Sequence, residues 1–157
     1  MTSLPEVARL PADQSDMRQR VFAAEADIRR LPPVECPVTH HFSDGIYARE
    51  MFIPKGTMLT GHIHKHQNLN IMSKGELLVL TEDGVKRVKA PFTIVSPPGT
   101  KRIAFALEDT VWTTIHATTE TDLEKIEGYF VAHSEQEYLT HCAALQIEGG
   151  KSCLGEP

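Results

Sequence analysis

The chain has 157 residues and a formal net charge of −5, from 21 acidic and 16 basic side chains. Such a length suits one domain with short extensions, and the acidic balance argues against a dedicated nucleic-acid binder, which carries a basic patch. The three cysteines, Cys36, Cys142 and Cys153, form no C-x-x-C pair; they argue against a disulfide framework or a cysteine-based zinc site and read as reduced thiols of a cytoplasmic protein.

In chain order, residues 1–11 read as a loose arm and residues 13–31 as a helix. Met17, Val21, Ala24, Ile28 and Leu31 recur at spacings of 4, 3, 4 and 3, which makes one apolar stripe. Asp13, Ser15 or Asp16 caps the start and Pro32-Pro33 ends the helix. The stripe is expected to dock on the main domain or on a second subunit, the latter giving a homo-oligomer. The first thirty residues hold no apolar run, so neither a signal peptide nor a membrane span is expected.

From Cys36 to Ala117 the pattern is β: short segments rich in Val, Ile, Thr and Phe between turn signals. The predicted strands are Gly45–Ile53, Met58–His64, Leu69–Met72, Glu76–Thr81, Val85–Ala90, Phe92–Ser96, Arg102–Leu107 and Val111–Ala117. Asp83-Gly84 signals a two-residue type I′ hairpin. Pro97-Pro98-Gly99 separates two strands, and Glu108-Asp109 marks a tight turn that folds the last strand back beside the Arg102 strand. Many short strands at this spacing imply a sandwich, jelly roll or barrel. Thr121 to Glu124 and Ser134 to Glu137 are capping-box patterns, which place short helices over residues 121–127 and 134–144. From Gly149-Gly150 onward the chain reads as a frayed tail.

The strongest chemical signal is the run His62, Ile63, His64, Lys65, His66. In a strand, residues i and i+2 point the same way, so the three imidazoles are expected on one face. Neutral imidazole is the commonest protein ligand for a transition metal; the alternative is an exposed, His-rich strand end. Asn68 and Asn70 follow on one strand face.

These residues carry a resemblance to the cupin superfamily. Gly56, five residues, His62-x-His64, three residues, Asn68, six residues and Gly75 fit the spacing of the first cupin motif, with Asn68 where the family has glutamate. Pro97-x-Gly99 fits the second motif, but Arg102 stands where the family has its third histidine, Ala106 where it has asparagine, and Pro91 in place of its opening glycine. The run P-P-G-T-K-R also resembles small uncharacterised cupin-like proteins of tailed phages and some bacteria, which would place the protein in host cytoplasm or a virion.

The resemblance implies an all-β fold: a single cupin-type double-stranded β-helix, or jelly-roll barrel, over residues 36–118. An N-terminal arm and amphipathic helix fill residues 1–35, and a short C-terminal helical extension with its tail fills residues 119–157. It implies a small-molecule site in the barrel mouth holding a divalent metal, with His62 and His64 as first ligands and His116, then His66 or Asn68, completing the set. Loss of the carboxylate favours Zn, Fe, Ni or Cu over Mg, Ca or Mn. A hairpin with a three-residue loop puts His116 opposite Arg102, whereas a two-residue loop puts Ile115 there.

Arg102 beside a divalent ion would be repelled by roughly 4 kcal/mol per unit charge pair at about 4 Å and an effective dielectric near 20. Either the site is metal-free, or Arg102 turns away as a solvated residue, or a small anion bridges the two. Arg102, Asn70 and Trp112 are the expected substrate-binding residues, with Trp112 equally placed to be barrel core. The residues leave open whether the protein is an enzyme. Two alternatives stand beside the metal site: a metal-free module that binds a small ligand, and a structural or virion-associated oligomer without catalysis.

Overall fold

A computed structural model describes residues 12–154; the arm expected at residues 1–11 lies outside them. Helix α1 spans Ala12–Ile28. Ten strands follow: β1 (Val38–Ser43), β2 (Ile46–Ile53), β3 (Met58–Thr60), β4 (Ile63–His64), β5 (Asn68–Lys74), β6 (Glu76–Thr81), β7 (Gly84–Lys89), β8 (Phe92–Ser96), β9 (Ile103–Ala106) and β10 (Thr110–Ala117). Helix α2 (Leu123–Phe130), strand β11 (Val131–Ala132) and helix α3 (Glu135–Leu154) complete the order.

The strands form two facing antiparallel sheets, β1-β2-β10-β5-β8 and β3-β9-β6-β7, with a two-stranded ribbon β11-β4 at one end. This is the double-stranded β-helix. Alternation sends one set of side chains inward: Ile53, Met72, Leu77, Val79 and Ala106 form the main core, with Met51, Leu59, Phe92, Ala104 and Trp112 packed against them. Burying these side chains stabilises the barrel by about 1.5–3 kcal/mol for each large residue.

Several sequence expectations change. The Asp83-Gly84 hairpin forms, but Thr81 pairs with Gly84. Gly84 has φ +106° and no described non-glycine residue has positive φ. The loop is therefore Glu82-Asp83 with a glycine bulge, not a type I′ turn, which needs two positive φ values. The strands on either side of Glu108-Asp109 do not pair. β9 joins β3 and β6, and β10 joins β2 and β5, in opposite sheets, so His116 stands opposite Tyr47 and neither predicted register with Arg102 exists. Strands β1 and β11 lie outside the predicted strands. The helix α3 continues through Gly149-Gly150 to Leu154, since a glycine weakens a helix by only about 1 kcal/mol.

Helix α1 docks on its own chain. Val21 is fully buried, while Met17, Ala24 and Ile28 are half-buried. Leu31 is exposed because the helix ends at Ile28, before the Pro-Pro stop. Two ion pairs lie within the docked face. Arg18 donates from Nε and Nη2 to both oxygens of Glu135 at 2.7 and 2.8 Å, and from Nη1 to the Gly99 carbonyl at 3.1 Å, with its guanidinium over the Tyr138 ring. Lys101 Nζ donates to Glu25 Oε1 and to the Gly61 carbonyl, both at 2.7 Å, and lies over the Phe22 ring. Gly99 is required at this corner: φ is +84°, and a Cβ there would meet the Tyr138 hydroxyl at 2.6 Å.

Removing one member of a buried pair strands the other. Arg18→Ala is expected to cost roughly 3 kcal/mol in urea unfolding, whereas Leu31→Asp stays within about 0.5 kcal/mol. Equal effects would show that α1 is not held by its charged face.

Candidate functional site at the barrel mouth and rim

The three histidines of the cluster part company. The strand that carries them is only two residues long, and the chain bends at Lys65-His66, so strand alternation does not extend across all three. Lys65 explains the bend: its backbone N–H donates to the Phe130 carbonyl at 2.8 Å and its Nζ to the Gly128 carbonyl at 2.9 Å.

His64 turns into the mouth and faces His116, with ring centroids 5.7 Å apart and planes at 21°. Phe130 lies over His116 at 4.2 Å. Tyr47 also stacks near His116, with ring centroids 6.2 Å apart, and its hydroxyl lies 2.7 Å from His40 Nδ1. Ile126 and Phe130 of α2 pack on Tyr47, so this helix covers the mouth. The Nδ1 atoms of His64 and His116 are buried without a hydrogen-bond partner. Burial, then neighbouring positive charge, pushes both rings down to about 4, so both are neutral at ordinary pH.

His66 leaves this group. It stacks on Tyr129 at 4.6 Å and meets His141 edge-on at 5.3 Å. Asn68 and Asn70 are tied into a buried network. Asn70 Nδ2 donates to Asn68 Oδ1 at 2.7 Å and Ser96 Oγ at 2.9 Å, while its Oδ1 accepts from Trp112 Nε1 at 3.1 Å and Thr114 Oγ1 at 2.8 Å. The polar ends of Asn68, Asn70 and Trp112 thus face one another, and the Trp112 ring packs on the core. Arg102 is half-buried and keeps the parity of inward-facing Ala104 and Ala106. Burial lowers its pKa, its charge helps depress His64, and no carboxylate among the described residues reaches it.

His62 turns outward at the rim and meets two residues that the sequence did not single out. Its ligating atoms, those of His133 and those of Glu127 all lie within 4.8 Å of one another. The two rings are 5.1 Å apart at 78°, and His133 Nε2 lies 3.6 Å from Glu127 Oε1. The ribbon brings them together. Val131 pairs with His64 and Ala132 with Ile63, so His133 and His62 are the next partners along the same antiparallel register. Partial desolvation of the ring, then His133 and Lys101, lowers the His62 pKa. Beside this trio opens a groove of about 370 Å³ lined by Phe22, Glu25, Ala26, Arg29, His62, Lys101 and His133.

The donor sets decide which place fits a metal. The mouth offers two imidazoles and a permanent cation, and the donor set that converges among the described residues is His62, Glu127 and His133. The rim offers two imidazoles and a carboxylate, a set that suits Zn²⁺, Fe²⁺ and related ions. No motif connects Glu127 and His133 to His62 in the sequence; they lie more than sixty residues further on.

No family model matches the sequence, and no curated protein matches it. Among solved structures, the chain is similar to a cupin domain from Bordetella pertussis (16% identity, 57% of this chain and 99% of that one, TM-score 0.45). It is also similar to an uncharacterized conserved protein with a double-stranded beta-helix domain from Klebsiella pneumoniae (17%, 59% and 85%, 0.47) and to KdgF from Halomonas (19%, 58% and 85%, 0.44). The neighbours are thus cupin and double-stranded β-helix proteins, and the architecture itself rests on the strand order described above.

A depressed histidine carries a stability cost in acid. An unfolded histidine titrates near 6.5 and folded His116 near 4, so between these values the unfolded chain binds a proton that the native state refuses, and stability falls as pH drops. One such ring loses roughly 2 kcal/mol between pH ~7 and ~5. His116→Phe should remove that part of the slope in urea unfolding at the two pH values; identical slopes would show that His116 is not held neutral.

Proposed function

We propose that this protein is a small-molecule-binding barrel of cupin type whose working site is a divalent transition-metal centre at the barrel rim. The observation that carries the reading is the convergence of His62, Glu127 and His133 within 4.8 Å next to a groove wide enough for a small ligand. The ion differs in its ligands from the set expected in the mouth: His62 is kept, and Glu127 and His133 replace His64, His116, His66 and Asn68. When bound, such an ion acts as a Lewis acid on a ligand oxygen or on water.

The chain's own residues shape what enters. Phe22 and Ala26 give the groove an apolar wall. Lys101 is neutralised by Glu25, which leaves Arg29 as the surplus cation in the groove. Behind the rim, Arg102 adds positive potential to the mouth. The ligand is therefore a small anion, a carboxylate or a phosphate, with an apolar part toward Phe22. The lowered pKa of His62 favours the neutral, ligating form of that ring.

Tag-free protein is expected to bind one Zn²⁺ or Co²⁺ per chain. Replacing His62, Glu127 or His133 by alanine should weaken binding at least ~10-fold each, while His66→Ala leaves it unchanged. Arg29→Met should cost roughly 1 kcal/mol of affinity for small carboxylates or phosphates. Calorimetric titration checks all three. Absence of stoichiometric metal would leave the metal-free module as the reading.

A further inference from the structure

The three rim ligands belong to two separate pieces of the molecule. His62 lies on the barrel chain between β3 and β4, Glu127 lies on α2, and His133 directly follows β11. The second piece is the cover of the mouth. Its Ile126 and Phe130 pack on Tyr47, and Phe130 shields His116.

By itself this cover is weakly built. Helix α2 has 8 residues, and isolated helices shorter than about 12–15 residues are marginal in water. The ribbon contributes two residue pairs, far below what makes a hairpin stable. Helix α2 is held by Ile126, Phe130 and the two hydrogen bonds from Lys65 to the Phe130 and Gly128 carbonyls, and β11 by Ala132, packed with Ile63 and Tyr138, and by Glu137, which pairs with Lys65 and accepts from the His133 N–H. Beneath it, His64 and His116 keep buried Nδ1 atoms without partners, and these atoms gain solvent when the cover lifts. Helix α2 itself buries only Ile126 and Phe130, and segments with so few buried contacts open at low free energy.

We infer that a divalent metal at the rim is a clasp that locks α2 and β11 over the barrel mouth, so that metal occupancy controls access of solvent and small molecules to the buried His64 and His116 rings. The inference rests on the rim-metal reading. In the closed state the ion has three protein ligands. When the cover lifts, Glu127 and His133 leave with it and only His62 remains. An ion that gains two ligands in one state shifts the population to that state. The coupling is reciprocal: whatever loosens the cover weakens the metal by the same factor.

The test is amide hydrogen exchange on the full tag-free chain, metal-free and at saturating Zn²⁺, with zinc affinity measured in parallel. Exchange across residues 123–132 should slow at least 10-fold with Zn²⁺, while the exposed β6–β7 turn serves as the unchanged reference. Carbethoxylation of His116, read by mass spectrometry, should slow in step. Lys65→Met replaces no proposed metal ligand but removes the Nζ hydrogen bond to the Gly128 carbonyl and the ion pair with Glu137; it should lower zinc affinity about 3- to 10-fold and speed exchange in 123–132. Zinc bound at one per chain with unchanged exchange in 123–132 overturns the clasp and leaves the rim centre standing. Faster exchange in Lys65→Met with unaltered zinc affinity likewise overturns the coupling. No zinc binding at all overturns the rim centre and the clasp together.

Discussion

Two buried cations organise this molecule. Arg18 and Lys101 are each about 3% exposed at the side chain, and an unpaired charge in such a place costs several kcal/mol. Each is answered by a carboxylate from another element, with one backbone carbonyl accepting a further bond from each. Arg18 on α1 reaches Glu135 on α3 and the carbonyl of Gly99. Lys101, two residues from Gly99, reaches back to Glu25 on α1 and to the carbonyl of Gly61, next to His62. One corner of the barrel thereby fixes both flanking helices and one wall of the groove. Burial pushes the Glu25 carboxyl up, but hydrogen bonds from Lys101 and Thr60 outweigh it and hold that group below its ordinary range. The pair therefore contributes stability at neutral pH that is lost as pH falls through that lowered value.

The same economy separates the histidines by role. Burial in the mouth keeps His64 and His116 neutral and close to aromatic rings. At the rim, His62 and His133 stay exposed, share a carboxylate and remain open to an ion from solution. A cupin-type barrel with Asn68 and Arg102 in two ligand positions of the family pattern would be poor in metal donors at its mouth. The C-terminal extension brings a carboxylate, Glu127, and an imidazole, His133, to the one motif histidine that faces outward. The extension that covers the barrel thus also supplies the donors beside it.

Local patterns were legible wherever a short-range physical rule governs. The 3.6-residue stripe located α1, period-two alternation located most strands, and the cupin-like spacing of Gly56, His62, His64 and Gly75 pointed to a double-stranded β-helix. Where the rule was local but its boundary condition was not, the reading slipped. His62, His64 and His66 share one face only if the strand is long enough, and Lys65, bonded to a segment sixty residues away, shortens it. The Glu108-Asp109 turn looked like a hairpin, yet its flanking strands go to opposite sheets, because a tight corner and a hairpin loop use the same turn residues.

By itself the sequence determined where α1 and most of the strands lie, the glycines at Gly84 and Gly99 that permit positive φ, and the presence of unusually many imidazoles near one turn. Those are consequences of backbone sterics and of hydrophobic periodicity, which act within a few residues. Only the tertiary structure decided that α1 buries two charges, that Asn68, Asn70 and Trp112 satisfy one another, and that Glu127 and His133 meet His62. The physical reason is that a donor's partner, a charge's counter-ion and a metal's ligand set are defined by distance in space. Pairing Val131 with His64 closes a loop of more than sixty residues, whose direction no local rule contains.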